Sequence, residues 1–274
     1  MDDIFAEKRA RTEKDHEYFE NLDEVFNMYT WRALLSLMNK RVVDEVLGPI
    51  AQGKEAKVIL GKAPDGSYLA LKVFYTSSAT FIKSRYQYIF GDPRFKNKRI
   101  KKDIFDIVEA WCRKEFGNLS AAYKAGVKAP RPIAFEKNIL VMEFVGEGRA
   151  PAPTLNDVGL EGLEDPDEVF WEIIRNVERA YALAGLVHAD LSEFNILLHS
   201  GDIRIIDWGS AVRRGHPKAE EFLARDLSNI FRFFGLGLDG AEAAGLIAER
   251  ARRPYEEDEE GWLVVDGKRL YELL

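Results

Sequence analysis

The clearest chemical potential in this sequence lies in one short stretch, His188-Ala189-Asp190-Leu191-Ser192-Glu193-Phe194-Asn195, and in the later Asp207. Asp190 and Asn195 stand five residues apart, and both carry the hard oxygen atoms that divalent cations such as Mg²⁺ prefer. Phosphoryl transfer needs such a cation on the phosphate oxygens. It also needs a metal-free carboxylate that takes the proton of the attacking hydroxyl. A loop between two strands can bring these side chains together, so the pattern indicates phosphoryl-transfer chemistry.

The same spacing occurs in the catalytic-loop pattern H-R-D-x-x-x-x-N of protein kinases. The structural alternative is that Asp190 and Asn195 cap turns beside a strand, as these residue types often do. No second His or Cys lies at ligand spacing from His188. We therefore expect His188 to position the loop rather than to bind a metal.

Two upstream charges, Lys72 and Glu115, fall where apolar residues are expected. Lys72 lies in the middle of a strand between Leu71 and Val73, and Glu115 lies on the apolar stripe of a helix expected over residues 104–125. A buried charge is costly unless it is paired, so the sequence predicts that Lys72 and Glu115 meet, which aims Lys72 at nucleotide phosphates. The alternatives are an edge strand whose lysine reaches water and a stripe that ends one turn earlier.

A candidate phosphate loop precedes Lys72 in the stretch Ala51–Val58. Only Gly53 remains of the three glycines in the pattern G-x-G-x-x-G, so this stretch taken alone favours an unremarkable turn over a phosphate loop. Gln52 and Lys54 could add side-chain contacts to phosphate.

Taken together, these features resemble the RIO family of atypical serine/threonine protein kinases, and within it the first (Rio-one-like) subfamily. The resemblance covers about residues 23–234, and the catalytic-loop string is its most specific part. The matching stretches are Gly53–Ala56, Lys72–Tyr75, Arg113–Leu119, Val141–Phe144, Ala150–Pro153, Val187–Asn195, Ile205–Asp207 and Phe222–Asp226.

The resemblance implies a role for each matching site residue. Asp190 is the catalytic Asp, and Asn195 and Asp207 hold Mg²⁺ or Mn²⁺. ATP is the implied nucleotide. One departure is the turn after Asp207, where this chain has Trp208-Gly209-Ser210 and many relatives carry other residues. The implied nucleotide-binding residues are Gly53 and Lys54 over the phosphates, Lys72 paired to Glu115, Ser192 at a phosphate, and the backbone around Glu143 and Val145 at the adenine.

Composition limits the class of protein. Apolar residues make up 46% and charged residues 31% of the 274 residues, which is typical of a globular chain. A net charge of −7 argues against non-specific coating of nucleic acid. The single Cys112 excludes a disulfide framework and favours a reducing interior, so we expect a cytoplasmic protein. No apolar run approaches the roughly 18 residues of a membrane span, so no membrane partner is expected.

The segment Thr76–Asp103 carries the opposite charge. It holds eight Lys or Arg and two Asp, a charge of +6 in a chain whose remainder is −13. Five aromatic residues are interleaved with the cations, a composition suited to RNA phosphates and stacked bases. A solvated loop is the equally weighted alternative. Because the RIO resemblance implies a role in small ribosomal subunit maturation, we expect this segment to contact a pre-ribosomal particle through its RNA or protein.

The expected fold class is α+β, a two-lobed protein-kinase-like fold with an N-terminal helical extension. Only 67 residues follow Asp207, and they do not contain the Ala-Pro-Glu motif of conventional protein kinases. The activation loop and peptide-docking helices are therefore expected to be trimmed. The expected domains are the extension over 1–48, an N-lobe over 49–145 and a C-lobe over 146–274. Asp23 is the expected cap of the first helix, Gly48-Pro49 its end, and the acidic run 256–260 a solvated stretch.

The sequence thus predicts an ATP-dependent serine/threonine kinase that phosphorylates itself, hydrolyses ATP or does both. Two alternatives stay open. One is a small-molecule phosphotransferase of the aminoglycoside or choline type, although those enzymes typically read His-Gly-Asp where this chain has Ala189. The other is a non-catalytic assembly factor gated by ATP.

Overall fold

A computed structural model describes residues 27–76 and 103–274. The basic segment Thr76–Asp103 therefore lies, except for its two end residues, outside the described residues. The described chain divides into two compact units, the first comprising 27–76, 103–113 and 133–144, and the second 114–132 and 145–274. The domain boundaries expected from the sequence stay a prediction. Within the described ranges, no helix is long and apolar enough to cross a membrane.

The first unit is a five-stranded sheet covered by a helix. Its strands follow the order β1-β2-β3-β5-β4, and the pairs β1–β2, β2–β3 and β3–β5 are antiparallel. Lys72 lies within β3, the strand in which the sequence predicts it. The elements are α1 (Met28–Asn39), β1 (Glu45–Gln52), β2 (Ala56–Lys62), β3 (Tyr68–Phe74), β4 (Pro132–Glu136) and β5 (Ile139–Glu143), together with the first half of α2 (Ile104–Lys124), whose residues from Lys114 onward belong to the second unit.

Helix α1 packs its apolar face on this sheet. Leu34 and Leu37 of the helix belong to one buried cluster with Ile59, Leu71 and Val141 of the three central strands. Such burial contributes about 1.5–3 kcal/mol for each large aliphatic side chain. The sheet that carries Lys72 is therefore held by packing on at least one of its faces.

The start of the first unit differs from expectation in two places. Helix α1 begins at Met28, where the Asn27 side chain accepts the amides of Tyr29 and Thr30 at 3.0 Å each; the expected cap, Asp23, lies outside the described residues. The expectation that Gly48-Pro49 ends a helical segment is wrong, because both residues lie inside β1. This strand is at the sheet edge and its register shifts on both sides of the pair, so the missing amide of Pro49 is tolerated.

The second unit is mainly helical, with short two-stranded pairings. Helix α4 starts with Asp165 accepting the Glu168 amide at 2.9 Å and with Pro166 in the first turn. The elements are β6 (Gly146–Glu147), β7 (Ala150–Pro151), α3 (Leu155–Val158), α4 (Pro166–Ala182), β8 (Leu186–Val187), β9 (Ile196–His199), β10 (Asp202–Ile205), β11 (Val212–Arg213), α5 (Ala219–Phe233), α6 (Gly240–Arg250), β12 (Glu256–Glu257) and β13 (Leu263–Val264).

The acidic run near the C-terminus is exposed except for the half-buried Asp258, as expected, and two of its residues also pair with arginines. Glu257 lies in β12 and accepts a hydrogen bond from Arg179 at 2.7 Å, and Asp258 pairs with Arg269 at 2.6 Å. The sequence interpretation missed this because the arginines that bind the run lie elsewhere in the chain, on α4 and after β13.

Helix α6 ties this C-terminal hairpin to the core of the second unit. The buried Arg250 donates to the Glu178 carboxylate at 2.7 Å and to the Leu263 carbonyl at 2.7 Å. Burial raises the pKa of Glu178, and the Arg250 guanidinium opposes that rise. The pair is shielded from solvent, so removing one member leaves the other charge without compensation.

We expect Arg250→Ala to lower the free energy of unfolding by about 3–5 kcal/mol, the cost of breaking a buried ion pair. The matched control is Arg253→Ala on the same turn of chain. Arg253 pairs with Asp266 at the surface, and such pairs contribute about 0–1 kcal/mol. Urea unfolding of the two variants measures the difference, and equal losses would contradict the structural role given to Arg250.

Candidate active site

The candidate catalytic residue, Asp190, projects from a loop between β8 and β9. Its side chain is exposed, whereas the backbone on either side is held. The amides of Ala189 and Leu191 donate to the two carboxylate oxygens of Asp226, at 2.7 and 3.0 Å. Ala189 has a φ of +63°, a conformation that non-glycine residues adopt only when their surroundings hold them. The loop thus presents an accessible carboxylate on a fixed backbone.

Asn195 closes this loop and links it to Asp207. Its side-chain amide donates to the Asp190 carbonyl at 2.8 Å, so its Oδ1 is the atom that remains to ligate a cation. Its backbone carbonyl accepts the Ile206 amide at 2.9 Å, which extends the β9–β10 pairing by one step. Asp207 follows directly. The hairpin therefore brings the amide and the carboxylate predicted to bind metal to the same end of one two-stranded pairing.

The His188 side chain connects the loop that carries Asp190 to the segment around Asp207. Its Nε2 lies 2.9 Å from the Ile206 carbonyl, and because a carbonyl can only accept, Nε2 carries the proton. The ring also packs edge-on against Trp208, with 4.8 Å between centroids. This is the geometry of a residue that positions the loop.

Asp226 binds the backbone of this loop and was absent from the predicted site residues. It lies on α5 with its carboxylate almost completely buried, and burial raises its pKa to about 7. The amides of Leu191 and Ala189 and the nearby Arg225 oppose that rise. A sequence signal existed: Asp226 falls on the apolar stripe of α5, where a carboxylate needs buried donors.

Two neighbours on α5 strengthen this arrangement. The Arg225 guanidinium donates to the Ala189 carbonyl, and the Asn229 amide donates to the Leu191 carbonyl at 3.0 Å. Helix α5 therefore binds both the amide and the carbonyl of each residue that flanks Asp190.

The predicted phosphate-binding residues of the first unit are Gly53, Lys54 and Lys72. Lys72 is buried on β3, opposite Val58 of β2 and Leu140 of β5, so it lies on an interior strand rather than at an edge. Gly53 and Lys54 are exposed in the turn between β1 and β2, where the Gly53 amide donates to the Ala56 carbonyl at 2.9 Å. The edge-strand alternative for Lys72 is thereby excluded.

The other predicted residues lie on several elements. Glu115 is buried on α2, and its pairing with Lys72 stays a prediction. Glu143 ends β5 in the first unit. Val145 lies in the second unit, where its carbonyl accepts the Ala152 amide at 3.0 Å. Ser192 precedes a single 3₁₀ turn, and its carbonyl accepts the Asn195 amide at 3.0 Å.

The donor set of the second unit fits Mg²⁺. The site offers one carboxylate, from Asp207, and one amide oxygen, from Asn195. Mg²⁺ commonly binds proteins through one or two such oxygens and completes its shell with phosphate and water. In the described part of the chain there is no cluster of three or more His, Cys, Asp or Glu side chains that would form a closed protein cage.

Comparison with known proteins agrees with this geometry. A model of the RIO domain matches residues 57–238, about two thirds of the chain. The chain belongs to the RIO family. The RIO-type serine/threonine-protein kinase Rio1 of Haloferax volcanii is 42% identical to it over 241 residues, 88% of this chain and 80% of the relative. The human serine/threonine-protein kinase RIO1 is 36% identical over 213 residues, 78% of this chain and 37% of the relative.

A solved structure shares the fold. The Rio2 kinase of Chaetomium thermophilum, described as an ADP/Mg²⁺-phosphoaspartate complex, has a TM-score of 0.60 and 26% identity, and covers 77% of this chain and 61% of its own. The expected RIO membership, the trimmed kinase-like α+β fold and the phosphotransferase class are thereby confirmed. The chain spans less than two thirds of that Rio2 chain and under two fifths of human RIO1.

We expect Asp226→Asn to lower kcat about 10–100-fold, because an amide group would set a donor against one of the two backbone amides that the carboxylate now accepts. Nucleotide affinity should change little, since Asp226 acts through the backbone of Asp190. The control is Asp239→Asn at the start of α6, where Asn caps a helix as well as Asp does.

The pH dependence of stability tests the same residue. Because the folded protein holds the Asp226 proton up to a pKa of about 7, against 3.8 for the free side chain, its stabilising effect is complete below pH 3.8 and is lost as pH rises towards 7. The stability of the parent protein relative to Asp226→Asn should therefore fall across that window, by at most about 1.4 kcal/mol per pH unit. A flat difference in urea unfolding would contradict the assignment.

Proposed function

We propose that the chain transfers the γ-phosphoryl group of ATP to Ser or Thr hydroxyls, with self-phosphorylation and ATP hydrolysis as its directly measurable forms. The observation that carries the proposal is the loop of the second unit. There an exposed carboxylate, Asp190, sits on a backbone held from α5, and Asn195 binds both the Asp190 carbonyl and the residue before Asp207.

In this proposal Asp190 orients the acceptor hydroxyl and takes its proton. The hydroxyl oxygen bonds to the γ-phosphorus while the bond to the β-phosphate oxygen breaks, and ADP leaves. Asn195 Oδ1 and the Asp207 carboxylate would hold Mg²⁺ or Mn²⁺, which when bound neutralises charge on the phosphate oxygens. The exposed Asp190 carboxylate is open to an incoming hydroxyl.

The remaining residues bind the nucleotide. The Lys72 ammonium would contact the phosphates and take Glu115 as its partner, and Ser192 would contact a phosphate from the catalytic loop. Gly53 and Lys54 would cover the phosphates from the β1–β2 turn. The adenine would lie against the backbone near Glu143 and Val145.

ATP hydrolysis is the second form that a specific observation favours. The Rio2 structure is described as a phosphoaspartate complex. A phosphoaspartate forms when an aspartate carboxylate attacks phosphorus. In this chain such a reaction would bond an Asp oxygen to the γ-phosphorus, release ADP, and end when water cleaves the acyl phosphate. Hydroxylamine cleaves an acyl phosphate and leaves a Ser or Thr phosphate intact, so it distinguishes the two products.

We expect Asp190→Ala to abolish phosphoryl transfer and to leave ATP affinity nearly unchanged, because Asp190 contacts the acceptor. Asp207→Ala should also weaken binding of Mg-ATP, because it removes a metal ligand. The measurements are incorporation of labelled phosphate and nucleotide titration calorimetry with and without Mg²⁺. If Asp190→Ala turns over ATP like the parent protein, the catalytic assignment is wrong. Turnover raised well above background by small hydroxylated acceptors would favour a small-molecule kinase.

The proposed partner is a pre-ribosomal small-subunit particle, bound through the basic segment Thr76–Asp103, in a cytoplasmic role in subunit maturation. Its support is the RIO family together with the local charge of +6. The cytoplasmic location stays a prediction, as does the choice between RNA and protein within the particle.

Replacing Lys96, Lys98, Lys101 and Lys102 by Gln should weaken binding to pre-ribosomal particles and flatten its salt dependence, since fewer phosphate contacts release fewer counterions. A sedimentation assay over a series of KCl concentrations measures both effects. The control replaces four exposed cations elsewhere in the described chain, Lys124, Lys218, Arg252 and Lys268. Equal binding and equal salt slopes for the two variants would refute the proposed contact.

A further inference from the structure

The turn that follows Asp207 is buried although Asp207 itself is exposed. Trp208, Gly209 and Ser210 form this turn, and all three are buried. Asp207 has a φ of +62°, a conformation that costs a non-glycine residue about 1–3 kcal/mol unless the surroundings hold it. Something beyond local preference must therefore hold the backbone at this point.

Two polar side chains of α2 bind the turn. The Lys114 ammonium donates to the carbonyls of Gly209 and Ala211, at 2.7 Å each. The Asn118 amide donates to the carbonyls of Trp208 and Ala211, at 2.9 and 3.1 Å. Lys114 and Asn118 are one helical turn apart and lie within the second unit. Three of the four carbonyls after Asp207 are thus bound from one helix face.

The burial of these side chains shows that the contact is more than packing. Lys114 is 1% exposed and Asn118 is fully buried. A buried ammonium costs several kcal/mol unless polar groups replace its water, and an apolar residue would fill the same space without that cost. Donors are placed here, where carbonyl oxygens of an irregular turn need them.

We propose that Lys114 and Asn118 are positioning residues for the cation that Asp207 binds. They hold the carbonyls of Trp208, Gly209 and Ala211, which keeps Asp207 in its left-handed conformation and directs its carboxylate towards the side on which Asn195 lies. The inference rests on the proposed function, because it requires that Asp207 be a metal ligand. Without these donors the turn relaxes, and the carboxylate leaves its position relative to Asn195.

The test compares Lys114→Met and Asn118→Leu, which keep approximate volume and remove the donors. Binding of Mn²⁺ is measured by electron paramagnetic resonance in the presence of ADP. We expect each variant to raise the Mn²⁺ dissociation constant about 10–100-fold, the usual effect of removing a group that orients a metal ligand. ADP binding without metal should stay within about twofold of the parent value.

The matched control is Asn138→Leu in the first unit. Asn138 is also fully buried, and its amide donates twice, to Thr30 Oγ1 and to the Phe74 carbonyl, at 2.9 Å each. This variant should lose stability to a similar degree, because it also removes two buried hydrogen bonds, and should keep the Mn²⁺ affinity of the parent protein. A purely structural role for Lys114 and Asn118 predicts that all three variants behave alike.

Milder variants keep the test decisive if a donor-free variant does not fold. Lys114→Arg and Asn118→Gln retain donors at altered reach, and we expect Mn²⁺ affinities between those of the parent and of the donor-free variants. Parent-like Mn²⁺ affinity in every folded variant would overturn the inference. Asp207→Ala separates the two levels: if it leaves Mn²⁺ affinity unchanged, the metal role of Asp207 fails, whereas if it lowers that affinity while the Lys114 and Asn118 variants do not, only the positioning role fails.

Discussion

The position of the loop that carries Asp190 depends on one buried carboxyl group, that of Asp226. Asp226 accepts the amides on both sides of Asp190, and it does so from a helix whose own place is set by apolar packing. A buried carboxylate is costly without donors, and an irregular loop has amides without strand partners. The loop amides supply the donors that the buried carboxyl group needs, and its oxygens supply the acceptors that the amides lack. The exposed carboxylate of Asp190 is therefore located by a second carboxyl group that is buried.

The segment after Asp207 is also held by a buried polar side chain, one that donates hydrogen bonds instead of accepting them. There a buried cation, Lys114, binds carbonyls where Asp226 binds amides. Each segment also contains a non-glycine residue with φ near +60°, Ala189 in one and Asp207 in the other. Such conformations persist only where surrounding contacts over-determine them. The second unit thus holds the backbone beside each exposed acid with a buried polar side chain. Carboxyl oxygens of Asp226 accept the amides beside Asp190, and the Lys114 ammonium donates to carbonyls after Asp207.

Regular elements of the fold were predictable where the hydrophobic period was long and the ends were marked. The helix from Pro166 is an example, with a capping Asp before it and a glycine after it. Strand β9, Ile196–His199, was missed because its run of three apolar residues has no usable period. Helix α6 was missed because it is rich in Ala and Gly. Its Gly240 meets α5 so closely that a Cβ would lie 2.4 Å from the Ala224 carbonyl, a contact that no periodicity reveals.

The candidate site divides in the same way between residues that are predicted to react or bind metal and residues that hold their backbone. Asp190 and Asn195 were predictable because phosphoryl transfer requires particular atoms, and a five-residue spacing displays them. Asp226 and Lys114 also carried a signal, since each is a charge on an apolar helix face. What the sequence could not supply was the partner. When a buried lysine pairs with an acid, the residue types suggest the pair. Asp226 and Lys114 instead bind backbone groups, which lie 35–37 residues from Asp226 and 95–97 residues from Lys114 in the sequence. Almost every residue offers the same amide and carbonyl, so residue type carries no information about which ones are bound, and only the folded chain identifies them.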